Sequence, residues 1–247
     1  MDVNRYWENR ATVRRYTDRT VSDELLRDLM AKASHAPTTG NMQLYSVIVT
    51  RDAEMKRKLA PAHFNQRSVE SASVVLTFCA DYNRFSQWCR QRKAVPGYDN
   101  FQSFLAALLD TALLAQQFNT VAELAGLGCC YLGTTTYNAP QIAELLQLPE
   151  LVVPVTTLTV GYPDGEPLPS DRLAPEAFLH SEIYHPYTAE QIDRYFAEKE
   201  SLPESAKFIA ENNKETLAQV FTDIRYTKEN NEYFSKVYAD FIKQQGF

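Results

Sequence analysis

The order of elements along the chain predicts an α+β fold in which a small central mixed sheet is flanked by helices, one of them long and central, with a helical C-terminal extension. Three observations carry this: short β-branched or wholly apolar runs that read as strands, one long run whose apolar residues wrap much of a helix, and helical periodicity through the tail. Residues 2–9 form a short opening helix. Ser22, followed by Asp23 and Glu24, caps a second helix to about Ser34, with Leu25, Leu26, Leu29 and Met30 inward and Pro37 stopping it. Tyr45–Thr50 is a β-branched strand, and 52–59 returns to helical composition. Residues 74–80 barely alternate, which marks a strand buried on both faces. From 101 to about 125, Phe104, Leu105, Leu108, Leu109, Ala112, Leu113, Leu114 and Phe118 cover more than one side of a helix, which places it in the core or at a subunit interface. A short apolar piece follows Gly126-Leu127-Gly128, then a loop at Thr134-Thr135-Thr136 and a helix over 140–146. Val152–Gly161 is the third clear strand, with Pro154 at its start or at an edge, and proline-rich 163–176 is extended loop. Leu217, Val220, Phe221 and Ile224, then Phe234, Val237, Tyr238 and Phe241, follow the i, i+3, i+4, i+7 rule. No repeat or low-complexity linker divides the chain, so 1–247 reads as one domain with 187–247 as its extension.

Composition narrows the function. The net charge of −6 gives no overall positive field for nucleic acid or an anionic membrane. Only 8 of 247 residues are Gly, about 3% against an average of roughly 7%. The nearest approach to a dinucleotide fingerprint, Gly126-Leu127-Gly128-Cys129-Cys130-Tyr131, has Tyr where the third Gly belongs, and no Gly precedes a Lys as a P-loop requires. Cys79, Cys89, Cys129 and Cys130 lack metal-finger and C-x-x-C spacing and read as small buried residues in a reducing compartment. His180 and His185 lack the spacing of a zinc-protease helix, and there is no G-x-S-x-G elbow. No charged-then-apolar leader opens the sequence, and 104–114 is interrupted by Asp110, so a cytoplasmic protein without a membrane span is expected.

Three segments carry candidate chemistry. If Arg10-Ala11-Thr12-Val13-Arg14 is extended, Arg10, Thr12 and Arg14 share one face, two guanidinium forks flanking a hydroxyl, which suits a phosphate dianion. A solvated basic turn paired with surface carboxylates is the competing reading and the stronger one on these residues alone. Pro37-Thr38-Thr39-Gly40-Asn41-Met42-Gln43 offers hydroxyls, amides and free backbone groups to a polar heterocycle, or is an ordinary helix-ending turn. Gly126 to Thr135 lets backbone approach a flat ligand, or serves close packing.

In this order, Arg10-x-Thr12-x-Arg14, Pro37-Thr38-Thr39-Gly40-Asn41-Met42-Gln43, and Gly126-Leu127-Gly128 followed by Tyr131-Leu132-Gly133-Thr134-Thr135 resemble the FMN-dependent nitroreductase family, in particular its larger oxygen-insensitive NAD(P)H nitroreductase and flavin reductase branch. Phe78-Cys79-Ala80-Asp81 with Asn83-Arg84, and Arg172-Leu173-Ala174-Pro175 with His180, fit the larger branch as well, so the resemblance spans residues 8–185. It implies a nitroreductase-like fold binding FMN, with NAD(P)H as co-substrate. Arg10, Thr12 and Arg14, with Ala11 between them, would hold the phosphate and ribityl chain, helped by Arg172. Pro37, Thr38 and Thr39 would line the dimethylbenzene and ribityl side, with Asn41 near and presented across a dimer interface. Gln66 would set its amide against the pyrimidine edge, where a group that both donates and accepts is needed. Tyr131, Leu132, Gly133, Thr134 and Thr135 would lie along the isoalloxazine, the backbone N–H of Gly133 or Thr134 directed at flavin N5. Ala11 and Ser170 depart from the family pattern, where a basic or aromatic residue and a Lys are common, and these departures bear on phosphate affinity.

The implied activity is a ping-pong transfer of hydride from NAD(P)H through flavin N5 to nitroaromatics, quinones or other electron-poor acceptors, with the cofactor supplying the bond chemistry. This needs no side-chain triad, metal set or carboxylate pair. A flavin reductase or reductive dehalogenase on the same fold, and a non-catalytic flavin-binding or interaction protein, are the alternatives. The apolar breadth of the long helix and the family habit of sharing sites between chains both predict a homodimer. The acceptor and the choice between NADH and NADPH are not legible, and Arg225 and Lys228 read first as a solvated face.

Overall fold

The computed structural model describes residues 3–247, with side chains from Tyr6 onward, so Asp2 of the opening helix lies outside the described residues. The chain packs as two compact units: residues up to Leu168 together with Phe234–Phe247, and Pro169–Tyr233.

The first unit opens with α1 (Val3–Asn9) and α2 (Asp23–Ala33). Ser22 caps α2 as expected, its hydroxyl accepting from the Leu25 N–H at 3.1 Å, and Leu26 and Leu29 are buried. There follow β1 (Tyr45–Thr50), α3 (Ala53–Leu59) capped by Asp52, α4 (Arg67–Ser71), β2 (Val74–Asp81), α5 (Asn83–Gln91), α6 (Phe101–Leu124) capped by Asn100, β3 (Gly128–Leu132), α7 (Ala139–Leu145) and β4 (Val152–Gly161). Sequence periodicity misses α4 and α5 for physical reasons. The first is barely longer than a turn, and the second is polar and buries only Ser86 and Cys89.

The sheet has the order β1-β2-β4-β3, and every neighbouring pair is antiparallel. This corrects the expected mixed sheet. The crossover through α5 and α6 does bring β3 back in the direction of β2, but β4 inserts between them and runs against both. Pro154 lies opposite Cys79, where the register shifts between Phe78 and Cys79 and beyond the last β3 pairing at Leu132↔Thr157. Its missing N–H therefore falls at a locally free edge near the strand start.

One sheet face, with Leu76, Phe78 and Leu158, packs against Leu26 and Leu29 of α2 and Leu114, Ala115 and Phe118 of α6. The other, with Val75, Cys130 and Leu132, packs against Leu59, Val69 and Ile142. β2 is buried along its whole length, as its lack of alternation predicts. On its outer side α6 still exposes Phe101, Leu109, Leu113 and Leu124. No helix among the described residues is long and apolar enough to cross a membrane.

The second unit holds α8 (Ala189–Ser201), α9 (Pro203–Glu211) and α10 (Leu217–Val220), continued by a π-turn over Phe221–Arg225. Capping boxes at Thr188/Gln191 and Thr216/Gln219 start α8 and α10, and Leu217 and Val220 are buried, whereas Ile224 is exposed. Helix α11 (Lys228–Gln244) carries the chain back to the first unit, where Leu151 N–H donates to Gln245 O at 2.7 Å and Tyr238 Oη–H to Pro154 O at 3.2 Å.

Candidate functional site

Residues 10–16 pass from the start of β3 to the residues that follow β4. Val13 N–H donates to Cys129 O at 3.0 Å, and Tyr16 bridges Pro163. Burial alternates as an extended segment requires: Ala11 and Val13 are buried, Arg10 and Thr12 half-buried, Arg14 exposed. Close contact fixes this course, because a Cβ on Gly128 would sit 2.5 Å from the Val13 side chain, and one on Gly161 2.8 Å from the Tyr16 ring. Gly128 thus serves packing, and Gly126, at φ +84°, ends α6.

Arg10 is not paired with surface carboxylates. It meets Glu123 at the end of α6, Nε donating to Oε2 at 3.3 Å and Nη2 lying 3.3 Å from Oε1, and that carboxylate is only 7% exposed. Tyr6 Oη–H donates to the same Oε2 at 2.6 Å, and burial first, then the carboxylate, pushes its phenol upward. A guanidinium has five N–H donors, so Arg10 keeps donors for a further anion. It lines a cleft of about 530 Å³ with Tyr6, Asn9, Ala11 and Pro167. Arg14 lies against Cys130, whose thiol is pushed up by burial with partial relief from that arginine. All four cysteines are free and buried.

A second corner forms where β3 ends. Gly133 is exposed and a Cβ there would meet nothing within 4 Å, so its backbone is open to approach. Beside it, Gln66 Nε2 donates to Thr134 Oγ1 at 3.5 Å, and His63 Nδ1 lies 2.9 Å from the same oxygen. His63 is fully buried, which holds its pKa down at about 4. Leu132 and Thr135 are 1% exposed, and Thr135 Oγ1–H donates to Leu132 O, so these two are buried behind the corner. Tyr131 is half-buried, with its hydroxyl donating to Gln116 Oε1 at 3.5 Å and its phenol pushed up by burial.

The turn at Pro37–Asn41 is held from α6. Asp110, 1% exposed, accepts from Thr39 N–H at 2.8 Å and Thr39 Oγ1–H at 2.9 Å through Oδ1, and from Leu44 N–H at 3.2 Å through Oδ2. Gly40, Asn41 and Gln43 all take left-handed φ near 55°, and Pro37, Thr39 and Asn41 are exposed while Thr38 is half-buried. Asp110 and Glu123 are 13 residues apart on α6, which at 1.5 Å per residue separates this turn from Arg10 by about 20 Å along the axis. The strand register agrees: Tyr45 pairs near one end of the sheet and Gly128 at the other. One chain therefore brings Gln66, Gly133 and Thr134 together past the end of β3, sets the Arg10–Arg14 segment against the start of that strand, and keeps Pro37–Asn41 apart from Arg10. Arg172 belongs to the other unit, exposed, with Nη1–H on Asp171 O at 2.7 Å and Ser170 O at 3.3 Å. There Arg225 lies over the Phe208 ring at 4.3 Å, and Lys228 pairs with Glu232.

Sequence reasoning passes over Asp110, Glu123 and His63. The first two carry a usable signal: each is a carboxylate on the buried side of an apolar helix, so each must be bonded to something specific. His63 has no such pattern around it.

An antiparallel four-stranded sheet crossed by one long helix, with a two-arginine segment at the start of β3 and an open glycine corner just past its end, defines an α+β protein. The sequence model of the "Nitroreductase family" matches residues 8–162, and the chain belongs to that family. It is 33% identical over 179 residues to FMN reductase (NADPH) of Bacillus subtilis, covering 72% of each chain. It is 31% identical over 184 residues to oxygen-insensitive NADPH nitroreductase of Salmonella typhimurium, covering 74% of this chain and 75% of the relative. A crystal structure from Bacteroides fragilis, 57% identical, matches with TM-score 0.97 over 98% of both chains.

Proposed function

We propose that this chain is an FMN-dependent NAD(P)H oxidoreductase that reduces nitroaromatics, quinones or related electron-poor acceptors. The observation that carries it is the corner past β3, where the bare Gly133 backbone lies beside Gln66 and Thr134, at the end of the strand whose start meets the Arg10–Arg14 segment. The residues present fit FMN: guanidinium donors suit its phosphate, an amide suits a ring edge that donates and accepts, and a glycine without neighbours leaves room for a flat ring. When bound, FMN would carry a hydride equivalent through N5 between NAD(P)H and the acceptor in two half-reactions. This chain's own part is positional. Arg10, Thr12 and Arg14 would hold the phosphate. Gln66 would orient the ring, and the N–H of Gly133 or Thr134 would face N5 with no reorganisation at the moment of transfer.

The two sets of loops support a shared site. With Pro37–Asn41 about 20 Å from Arg10 along α6, the turn reaches a ligand at β3 more readily from a second copy, and exposed Leu109 and Leu113 on α6 supply an apolar face for that copy. Residues 1–247 then act together as one cytoplasmic FMN-binding protein. Purified protein should be yellow and bleach on anaerobic addition of NADPH or NADH. Colour that persists overturns the oxidoreductase reading, and a colourless protein that FMN cannot reconstitute overturns the flavin site. Leu109→Arg should shift sedimentation from dimer to monomer, and wild-type protein that sediments as a monomer with FMN bound removes the shared site.

A further inference from the structure

His63 is fully buried beside this corner, and the roles above do not use it. Only one of its ring nitrogens is engaged: Nδ1 lies 2.9 Å from Thr134 Oγ1, while Nε2 has no hydrogen-bond partner among the described residues. A buried N–H left without an acceptor is rarer and costlier than an acceptor left without a donor. The ring proton therefore sits on Nδ1, and Nε2 is bare. Nδ1–H then donates to Thr134 Oγ1, which also receives Gln66 Nε2–H from 3.5 Å. A hydroxyl has two lone pairs and one proton, so with both lone pairs engaged Thr134 retains only its capacity to donate, directed away from His63 and Gln66.

The backbone is shaped to hold this arrangement. Phe64 and Asn65, between the two donors, both adopt left-handed φ, 52° and 53°, each disfavoured by roughly 1 kcal/mol for a residue with a Cβ. Asn138 Nδ2–H donates to Ala62 O at 2.7 Å, tying the loop to the start of α7, and Asn65 N–H returns to Ala60 O at 2.8 Å. Strain kept in place by such cross-links is a mark of functional loops. Burial also keeps the ring neutral at neutral pH, so it does not become a second donor through Nε2.

We propose that His63 is a positioning residue that makes the Thr134 hydroxyl an obligate hydrogen-bond donor to the acceptor-bearing edge of the FMN ring, beside the Gly133 backbone. The proposal rests on the flavin reading above and adds a side-chain donor to the backbone N–H groups.

Two measurements on the full-length protein test it. Nitrogen NMR of isotopically labelled histidine, with His63 identified by its loss in His63→Asn, should show a neutral ring protonated on Nδ1 from about pH 6 to pH 8. A ring protonated on Nε2 overturns the proposal. FMN dissociation constants from fluorescence quenching supply the second readout. Thr134→Val and His63→Leu should each weaken binding about tenfold, and the double variant should bind no worse than Thr134→Val alone. His63→Asn, whose amide N–H can stand in for Nδ1–H, should stay within about threefold of wild type. Independent losses that multiply to about a hundredfold, or an Asn variant no better than Leu, mark a packing role and overturn the proposal. If His63→Leu does not fold, His63→Asn, Thr134→Val and the tautomer decide it. Wild-type protein that takes up no FMN sinks the flavin reading and this role together, whereas normal FMN uptake by both wild type and His63→Leu sinks the role of His63 alone.

Discussion

Replacing Asp110 should loosen a surface turn from inside the core. Its carboxylate accepts three hydrogen bonds, from Thr39 N–H at 2.8 Å, Thr39 Oγ1–H at 2.9 Å and Leu44 N–H at 3.2 Å, and is 1% exposed. Bonds to a charged group contribute about 1.5–3 kcal/mol each, yet the three cannot simply be summed. Thr39 is exposed, so water replaces the carboxylate there once the turn relaxes, whereas Leu44 is fully buried and its N–H is left unmet. A net loss of about 3 kcal/mol is expected for Asp110→Ala, the unmet amide and the small cavity together. For a chain of this size that lowers Tm by about 6–12 °C. Asp110→Asn keeps the shape and one acceptor oxygen, so about half the loss is expected. Thermal unfolding of FMN-free protein measures both, and amide hydrogen exchange at Thr39 and Leu44 reports whether the turn itself has opened. A Tm for the Ala variant within about 2 °C of wild type, or exchange at Leu44 left as slow as before, would refute the reasoning.

Arg10→Ala strands the buried Glu123 carboxylate, and about 1–3 kcal/mol of stability should be lost because the arginine is partly exposed. Adding Glu123→Gln should recover the stability but not FMN retention, and recovery of both on dialysis would exclude Arg10 from the phosphate site. Gly128→Ala forces a Cβ to 2.5 Å from Val13, so a loss of about 1–3 kcal/mol is expected, relieved by Val13→Ala; an unchanged Tm would contradict the close packing. His63 has a folded pKa of about 4 against an ordinary 6.5, so between these values the unfolded chain binds a proton that the folded chain does not. Its contribution is therefore present above about pH 6.5 and lost as pH falls toward 4, by up to about 3 kcal/mol. Denaturation midpoints of wild type and His63→Asn should diverge over that window, and parallel profiles would show that burial does not depress this histidine.

Strands and the central helix are legible in the sequence because their burial is encoded in side-chain type: β2 is apolar without interruption, and α6 alternates buried and exposed sides at helical spacing. The sheet's strand order is not, since the choice of β4 rather than β3 as neighbour of β2 depends on pairing between residues far apart in the chain. The site divides in the same way. Arg10, Thr12 and Arg14 share a face if the chain is extended there, but they acquire a binding role, like Gln66, only through resemblance. Asp110 and His63 act on backbone and hydroxyl groups remote in sequence, and no local pattern announces such partners. A glycine's purpose is likewise invisible: Gly128 and Gly133 stand five residues apart, one crowded by Val13, the other facing open space.

The stitch at the C-terminus has a topological consequence. Because Phe234–Phe247 belongs with the sheet, the segment Pro169–Tyr233 is an insertion anchored at both ends rather than a trailing tail. Closure entropy rises slowly with length, about 0.6 kcal/mol for each doubling, so such a segment can lengthen, shorten or exchange its helices while the strand order stands. The match to the shared family sequence stops at residue 162, just ahead of it. What cannot drift is the fastening, Gln245 on Leu151 and Tyr238 on Pro154. A truncation of the last few residues would act at the beginning of β4, far away in sequence, and a fusion partner attached there would bear on the sheet before it reached the insertion.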